Sequence, residues 1–134
     1  MSTADNEKDT FINARGNVTS IFFEGGEEQD TFLNSGVGVT GIVFYGNNGD
    51  DAALNSGDRL VSLYMVGGSG NDSLENRGNE SADLLLDGGD GDDSLLHLGT
   101  NVRNAARAFA VELIGGLGVD VLANFGSGAT SLNP

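Results

Sequence analysis

Apolar and polar residues alternate in short runs along this chain, and the runs recur at a fixed distance. TSIFFE, TGIVFY and VSLYMV each place two apolar residues two apart, the period of a β-strand with one buried face. One column holds Ile21, Ile42, Leu63, Leu84 and Val111, and a second holds Phe23, Phe44, Met65, Leu86 and Leu113. Two residues beyond the second column begins a Gly-rich cluster: GGEEQD from Gly25, GNNGDD from Gly46, GGSGND from Gly67, GGDGDD from Gly88 and GGLGVD from Gly115. Successive clusters start 21, 21, 21 and 27 residues apart.

Each cluster closes on an acid, at Asp30, Asp51, Asp72, Asp93 and Asp120, and Asp9 heads a partial copy one period upstream. Two residues after each acid stands Phe11, Phe32, Ala53, Leu74, Leu95 or Leu122, and two further on Asn13, Asn34, Asn55, Asn76, His97 or Asn124. A glycine usually follows within two or three residues. One period therefore predicts strand, Gly-Asp turn, short strand and Asn-Gly turn. Such a unit cannot bury its apolar face alone and must stack on its neighbours. The expectation is an all-β fold, a right-handed parallel β-solenoid of five to six coils, forming a rod of about 25 to 30 Å at about 4.8 Å per coil. One domain spans 1–134, with a partial N-terminal coil over 4–16 and an insertion at 100–107 that explains the longer last interval. A helical turn around Arg103 to Arg107 could occupy that insertion. Stacked Asn side chains suit a hydrogen-bonded ladder, with His97 as a variant rung.

Composition narrows the chemistry. Of 134 residues 22 are glycine, 20 are acidic and 6 basic, giving a net charge of −14. The six bases are scattered singly, which argues against a nucleic-acid partner. With no cysteine, disulfide frameworks and thiolate metal sites are excluded, and His97 as the one histidine argues against an imidazole-rich zinc or copper centre. No run is long and apolar enough for a membrane span, and no cleaved secretion signal is visible. Neither GxxxxGK[ST] nor GxGxxG occurs, and His97 alone cannot build a nucleophilic triad. The chain reads as non-enzymatic, and with no end-capping element visible it reads as a segment of a longer array.

Hard-cation chemistry remains. Glycines let carbonyls crowd together while the sixth residue adds a carboxylate, and calcium takes six to eight such oxygens. One corner offers too few; two stacked corners offer enough. GGSGNDSLE and GGDGDDSLL resemble the GGxGxDxUx nonapeptide of the haemolysin-type calcium-binding (RTX) repeats, which form a parallel β-roll. The resemblance implies calcium between successive turns, held by carbonyls of the second and fourth turn positions and the sixth-position carboxylate. Carried across, the ligands are Asn47, Gly49 and Asp51; Gly68, Gly70 and Asp72; Gly89, Gly91 and Asp93; and Gly116, Gly118 and Asp120. Three niches, and about three calcium ions, follow. The niche between Asp72 and Asp93 ranks first, that between Asp51 and Asp72 second. GGEEQD lacks the fourth glycine, which weighs against the niche between Asp30 and Asp51. The family's coil is 18 residues with calcium along both edges; here the period is 21 and calcium is expected along one edge only. Three ions would carry six positive charges against fourteen, leaving about −8. The resemblance also implies a secreted or cell-surface location and folding coupled to calcium.

A further outward column, Phe22, Val43, Tyr64 and Leu85, flanked by Tyr45 and Val66, predicts an exposed apolar stripe. It would serve a homo-oligomer, a neighbouring domain or, through Tyr45 and Tyr64, a glycan. Two functions stand at this point: a calcium-binding spacer or adhesion module, and a polysaccharide-binding module or accessory module of a secreted polysaccharide-modifying enzyme.

Overall fold

The computed structural model describes residues 6–103, 111–127 and 130–134. Every secondary-structure element among them is a strand. Odd-numbered strands are short: β1 Thr10–Asn13, β3 Thr31–Asn34, β5 Ala52–Asn55, β7 Ser73–Asn76, β9 Ser94–His97 and β11 Val121–Asn124. Even-numbered strands are longer: β2 Ile21–Gly26, β4 Ile42–Asn48, β6 Leu63–Ser69, β8 Leu84–Asp90, β10 Val111–Leu117 and the short β12 Thr130–Asn133. The odd strands form one six-stranded sheet in chain order, the even strands a second. All pairings are parallel and hold the repeat register, Ile42 opposite Leu63 and Leu63 opposite Leu84. The chain is a parallel β-solenoid with a 21-residue coil. Among the described residues no helix is long and apolar enough to cross a membrane.

The three apolar columns expected from the sequence face inward. Phe23, Phe32, Phe44, Leu63, Met65, Leu74, Leu86 and Leu95 are all fully buried between the sheets. The N-terminal coils fill this space with stacked rings: Phe11 on Phe32 at 5.5 Å and Phe23 on Phe44 at 5.9 Å between centroids. Stacking of like rings is what an in-register solenoid permits, since each column repeats its side chain one strand spacing away.

A fourth inner column, Val39, Leu60, Ser81 and Val102, was not anticipated. It lies on the segment between the Asn-Gly turn and the next long strand. Just before it runs a column of left-handed residues, Asn17, Gly38, Arg59, Glu80 and Asn101, with φ between 55° and 72°. This third corner turns the chain back to the even sheet. The repeat register also continues through it: Arg103 N donates to Ser81 O, and Arg103 bridges Ala82. The six additional residues of the last interval therefore fall after Arg103. Beyond Arg103 itself, which sits in this β-bridge, the expected helical turn lies outside the described residues.

At the Asn-Gly corner each amide bonds both ways. Asn34 Nδ2 donates to Asn55 Oδ1 at 2.6 Å, and Asn55 Nδ2 to Asn76 Oδ1 at 2.6 Å. The Oδ1 of Asn34 and of Asn55 also accepts from the N–H two residues on, Gly36 N and Gly57 N each donating at 3.3 Å. The column continues to His97, whose Nδ1 lies 3.1 Å from Asn76 Nδ2. An amide NH2 only donates, so Nδ1 accepts and the ring proton sits on Nε2. That nitrogen is buried and has no partner among the described residues.

Replacing Asn55 by Leu leaves Asn76 Oδ1 and Gly57 N–H unpaired in the interior, at about 1 to 3 kcal/mol each. Chemical denaturation of Asn55→Leu is expected to show a loss on the order of 3 kcal/mol, against less than about 0.5 kcal/mol for Ser56→Ala on the exposed neighbour. Equal losses would remove the ladder's role.

Candidate metal centre

Four acids of the Gly-Asp corner are buried: Asp30, Asp51, Asp72 and Asp93 are at most 2 % exposed. Each points inward from the start of a short strand. Its first carboxylate oxygen ties the corner to the preceding coil: Asp30 N donates to Asp51 Oδ1 at 2.7 Å, Asp51 N to Asp72 Oδ1 at 2.8 Å, and Asp72 N to Asp93 Oδ1 at 2.8 Å. Asp9 N to Asp30 and Asp93 N to Asp120 extend the column in both directions.

The second carboxylate oxygen is differently placed. Oδ2 of Asp51, Asp72 and Asp93 is buried and takes no hydrogen bond. It lies over the first glycine of its own turn. A methyl group on Gly67 would fall on Asp72 Oδ2 and stand 2.6 Å from Gly88 O of the next coil. Gly46 is enclosed in the same way by Asp51 Oδ2 and Gly67 O. A carboxylate oxygen and a carbonyl oxygen thus converge on one spot with no donor between them. Two acceptors facing each other in the interior call for a cation or a proton.

The carbonyls expected as ligands are aligned along the stack. Those of Asn47, Gly68 and Gly89 each point at the second-position residue of the following coil, and those of Gly49, Gly70 and Gly91 at the fourth. Only glycine fits above them: at Gly89, with φ of 104°, a Cβ would meet Gly68 O. Third-position carbonyls are already engaged, Ser69 O by Gly49 N and Asp90 O by Gly70 N. Gly116 and Gly118 repeat the backbone geometry in the last coil. Glu28 O points at Gly49 just as the glycine carbonyls do, so the first turn keeps the carbonyl direction despite lacking the fourth glycine.

A fifth-position ladder, missed in the sequence, runs alongside. Asn71 N donates to Asp50 Oδ1, Asp92 N to Asn71 Oδ1 and Val119 N to Asp92 Oδ1, at 2.8 to 2.9 Å. Its signal is legible afterwards: Asp, Asn and Asp stand at that position in three consecutive turns. Among the described residues no three acids or imidazoles gather at one point. The acids arrive one per coil, so an ion here would be held by backbone carbonyls with carboxylates from neighbouring coils. That donor set is all hard oxygen and fits calcium.

Burial, with repulsion from the neighbouring acids, pushes the Asp51 carboxyl up to about 7 and that of Asp72 to about 6, despite the backbone N–H each receives. Asp93 is raised for the same reasons. On the outer face of the even sheet, burial and Glu112 raise Asp87. Leu85 beside it is only 5 % exposed, so the expected apolar stripe is not open along its length. What remains half-open is Phe22, Val43, Tyr45, Tyr64 and Val66, with Phe22 against Tyr45 and Tyr45 against Tyr64 edge to face at 6.1 and 5.9 Å.

No family model, curated protein or solved structure matches the chain.

The raised acids set a sign for stability. With folded values above the ordinary 3.8, the metal-free fold binds more protons than the unfolded chain between about pH 4 and 7, so its stability falls as pH rises through that window. His97, lowered by burial, acts oppositely below its ordinary 6.5. In a His97→Asn background without divalent ions, thermal melts are expected to give a higher midpoint at pH 5 than at pH 7.5. Adding Asp51→Asn should shrink the difference. A midpoint that rises with pH in both proteins would contradict a column of buried, uncompensated acids.

Proposed function

We propose that this chain is a calcium-binding repeat module of the haemolysin (RTX) type, non-enzymatic, serving as a rigid spacer or adhesion element of a secreted or cell-surface protein. The observation that carries the reading is the row of buried Oδ2 atoms of Asp51, Asp72 and Asp93 without a hydrogen bond, with a backbone carbonyl converging on the same spot at Asp51 and Asp72. A divalent cation in each niche would satisfy both oxygens and offset the repulsion along the column. The ligands are the carboxylates of Asp51, Asp72, Asp93 and Asp120 with the carbonyls of Asn47, Gly49, Gly68, Gly70, Gly89, Gly91, Gly116 and Gly118, for about three ions. Because the niches exist only when coils are stacked, binding free energy becomes folding free energy. Calcium-poor interiors of cells would then leave the chain loose until export.

The polysaccharide reading rests on Tyr45 and Tyr64, which stand beside Phe22. Their rings meet edge to face and do not form one coplanar platform for a sugar. Unchanged glycan retention by a Tyr45→Ala, Tyr64→Ala double variant would remove that reading.

At pH 7.5 circular dichroism is expected to show a strong strand signal with millimolar calcium, and a weaker signal with a lower thermal midpoint after exhaustive chelation. Asp72→Asn separates cation from fold: its amide can donate where the carboxylate could not. This variant should hold more structure than the native chain without calcium and gain less from calcium. An unchanged native spectrum after chelation would sink calcium-coupled folding.

A further inference from the structure

The two ends of the solenoid carry complementary halves of the same pattern. β1 and β11 are the outer strands of the odd sheet, and β2 and β12 those of the even sheet. Within the stack each coil receives the next in one fixed way. Ser94 N donates to Asp72 O and Val121 N to Asp93 O; Leu98 N donates to Asn76 O and Phe125 N to His97 O. The side-chain ladders run the other way, each corner N–H reaching the Asp Oδ1 of the coil after it and each Asn Nδ2 the Oδ1 of the rung after it. On β11 the strand groups that face β9 are those of Val121 and Ala123, so those of Leu122 and Asn124 face outward, together with Asp120. On β1 the groups facing β3 leave Thr10, Ile12 and Ala14 N–H outward. The two edges are donor-to-acceptor matched.

The side chains of the last coil depart from the repeat in the direction an interface requires. At the third turn position Glu27, Asn48, Ser69 and Asp90 give way to Leu117; at the fifth, Gln29, Asp50, Asn71 and Asp92 give way to Val119; at the strand entry, Thr31, Ala52, Ser73 and Ser94 give way to Val121. Leu117, Val119 and Val121 are 63 to 77 % exposed, and Phe125 beside them 76 %. In the repeat register Leu117 corresponds to Asn6 and Val119 to Lys8 at the other end, so neither apolar residue would meet a carboxylate there. Phe11 and Leu122, the terminal members of one core column, are each half-buried where their inner counterparts are covered.

We propose that the chain associates head to tail with a second copy of itself, β11 of one copy pairing in parallel with β1 of the next. The register is the one that joins successive coils: Val121 opposite Thr10, Leu122 on Phe11 and Asn124 on Asn13. Asp120 N–H then reaches Asp9 of the partner copy, and β12 extends onto β2. The contact is heterologous, so it leaves one open end on each side and builds linear oligomers. It does not depend on the calcium reading, beyond both copies being folded.

The test is sedimentation velocity on the whole chain under conditions where circular dichroism shows it folded, over a wide concentration range. The average mass is expected to rise with concentration. Two end-blocked variants assign the contact. Thr10→Pro removes an N–H that points away from β3, blocking the N-terminal edge alone. Val121→Lys places a charge on the exposed C-terminal rim. Each alone should stay monomeric at concentrations where the native chain associates. An equimolar mixture should form a dimer and nothing larger, because one open head meets one open tail. Should Thr10→Pro fail to fold, Ile12→Lys serves as the N-terminal block. A native chain that stays monomeric throughout, or blocked variants that associate as the native chain does, or a mixture that gives no dimer, would overturn the proposal.

Discussion

A carboxylate at the Gly-Asp corner of each coil, buried in four successive ones, is the interaction on which the rest of this molecule depends. One oxygen of Asp51 or Asp72 accepts the corner N–H of the coil before it, which fixes the height of one coil on the next. The other oxygen sits over the first glycine of its own turn, which fixes how the turn closes and forbids a side chain there. Strand register follows from these two constraints, because a coil anchored at the corner has its inward residues at the same level as those of its neighbour. The Asn ladder repeats the device at the second corner with a neutral group. The difference between the two corners is chemical: an amide satisfies its neighbours in both directions, whereas a carboxylate brings only acceptors. The Asn-Gly corner is therefore complete in itself, and the Gly-Asp corner is complete only with a positive charge or a proton.

That asymmetry explains why acid is concentrated where it is. A solvated acidic face would tolerate acids anywhere outward, yet the sixth turn position holds Asp in all five turns and is buried in the first four. Keeping a charge-bearing group in the interior at each coil costs stability unless something binds there. Beyond the burial itself, repulsion couples neighbouring coils: Asp72 and Asp30 raise Asp51, Asp93 raises Asp72, and Asp120 raises Asp93. Polarity along the axis has a second consequence at the ends of the rod. The side-chain ladders of the two corners, in which each coil donates to the next, have a donor end and an acceptor end, and the last coil's exchange of polar for apolar residues coincides with the donor end.

Much of this was legible in the sequence because a solenoid repeats its environment. Columns such as Ile21, Ile42, Leu63 and Leu84 were read as inward because every member is apolar, and they are buried. The third corner was missed because its left-handed column mixes Asn, Gly, Arg and Glu, and its inner column is interrupted by Ser81. Ser81 is held there by a hydrogen bond from Leu60 N, a partner that residue type does not announce. The insertion was drawn from Thr100 because spacing shows that residues were added, and only the continuing contacts of Arg103 show where. The acids of the corner were legible as positions but not as buried groups, since an Asp in a Gly-rich turn reads as solvated until its neighbour's N–H is seen. Leu85 carries a similar lesson: alternation put it outside the barrel of the coil, and the outer face is covered at that point.

The most direct measurement is anomalous diffraction from crystals grown in calcium. Density is predicted in a row along the Gly-Asp edge, about 4.8 Å apart as the strands are, beside Oδ2 of Asp51, Asp72 and Asp93. A well-ordered solenoid with those oxygens in contact with no ion would contradict the assignment of the corner as a metal centre.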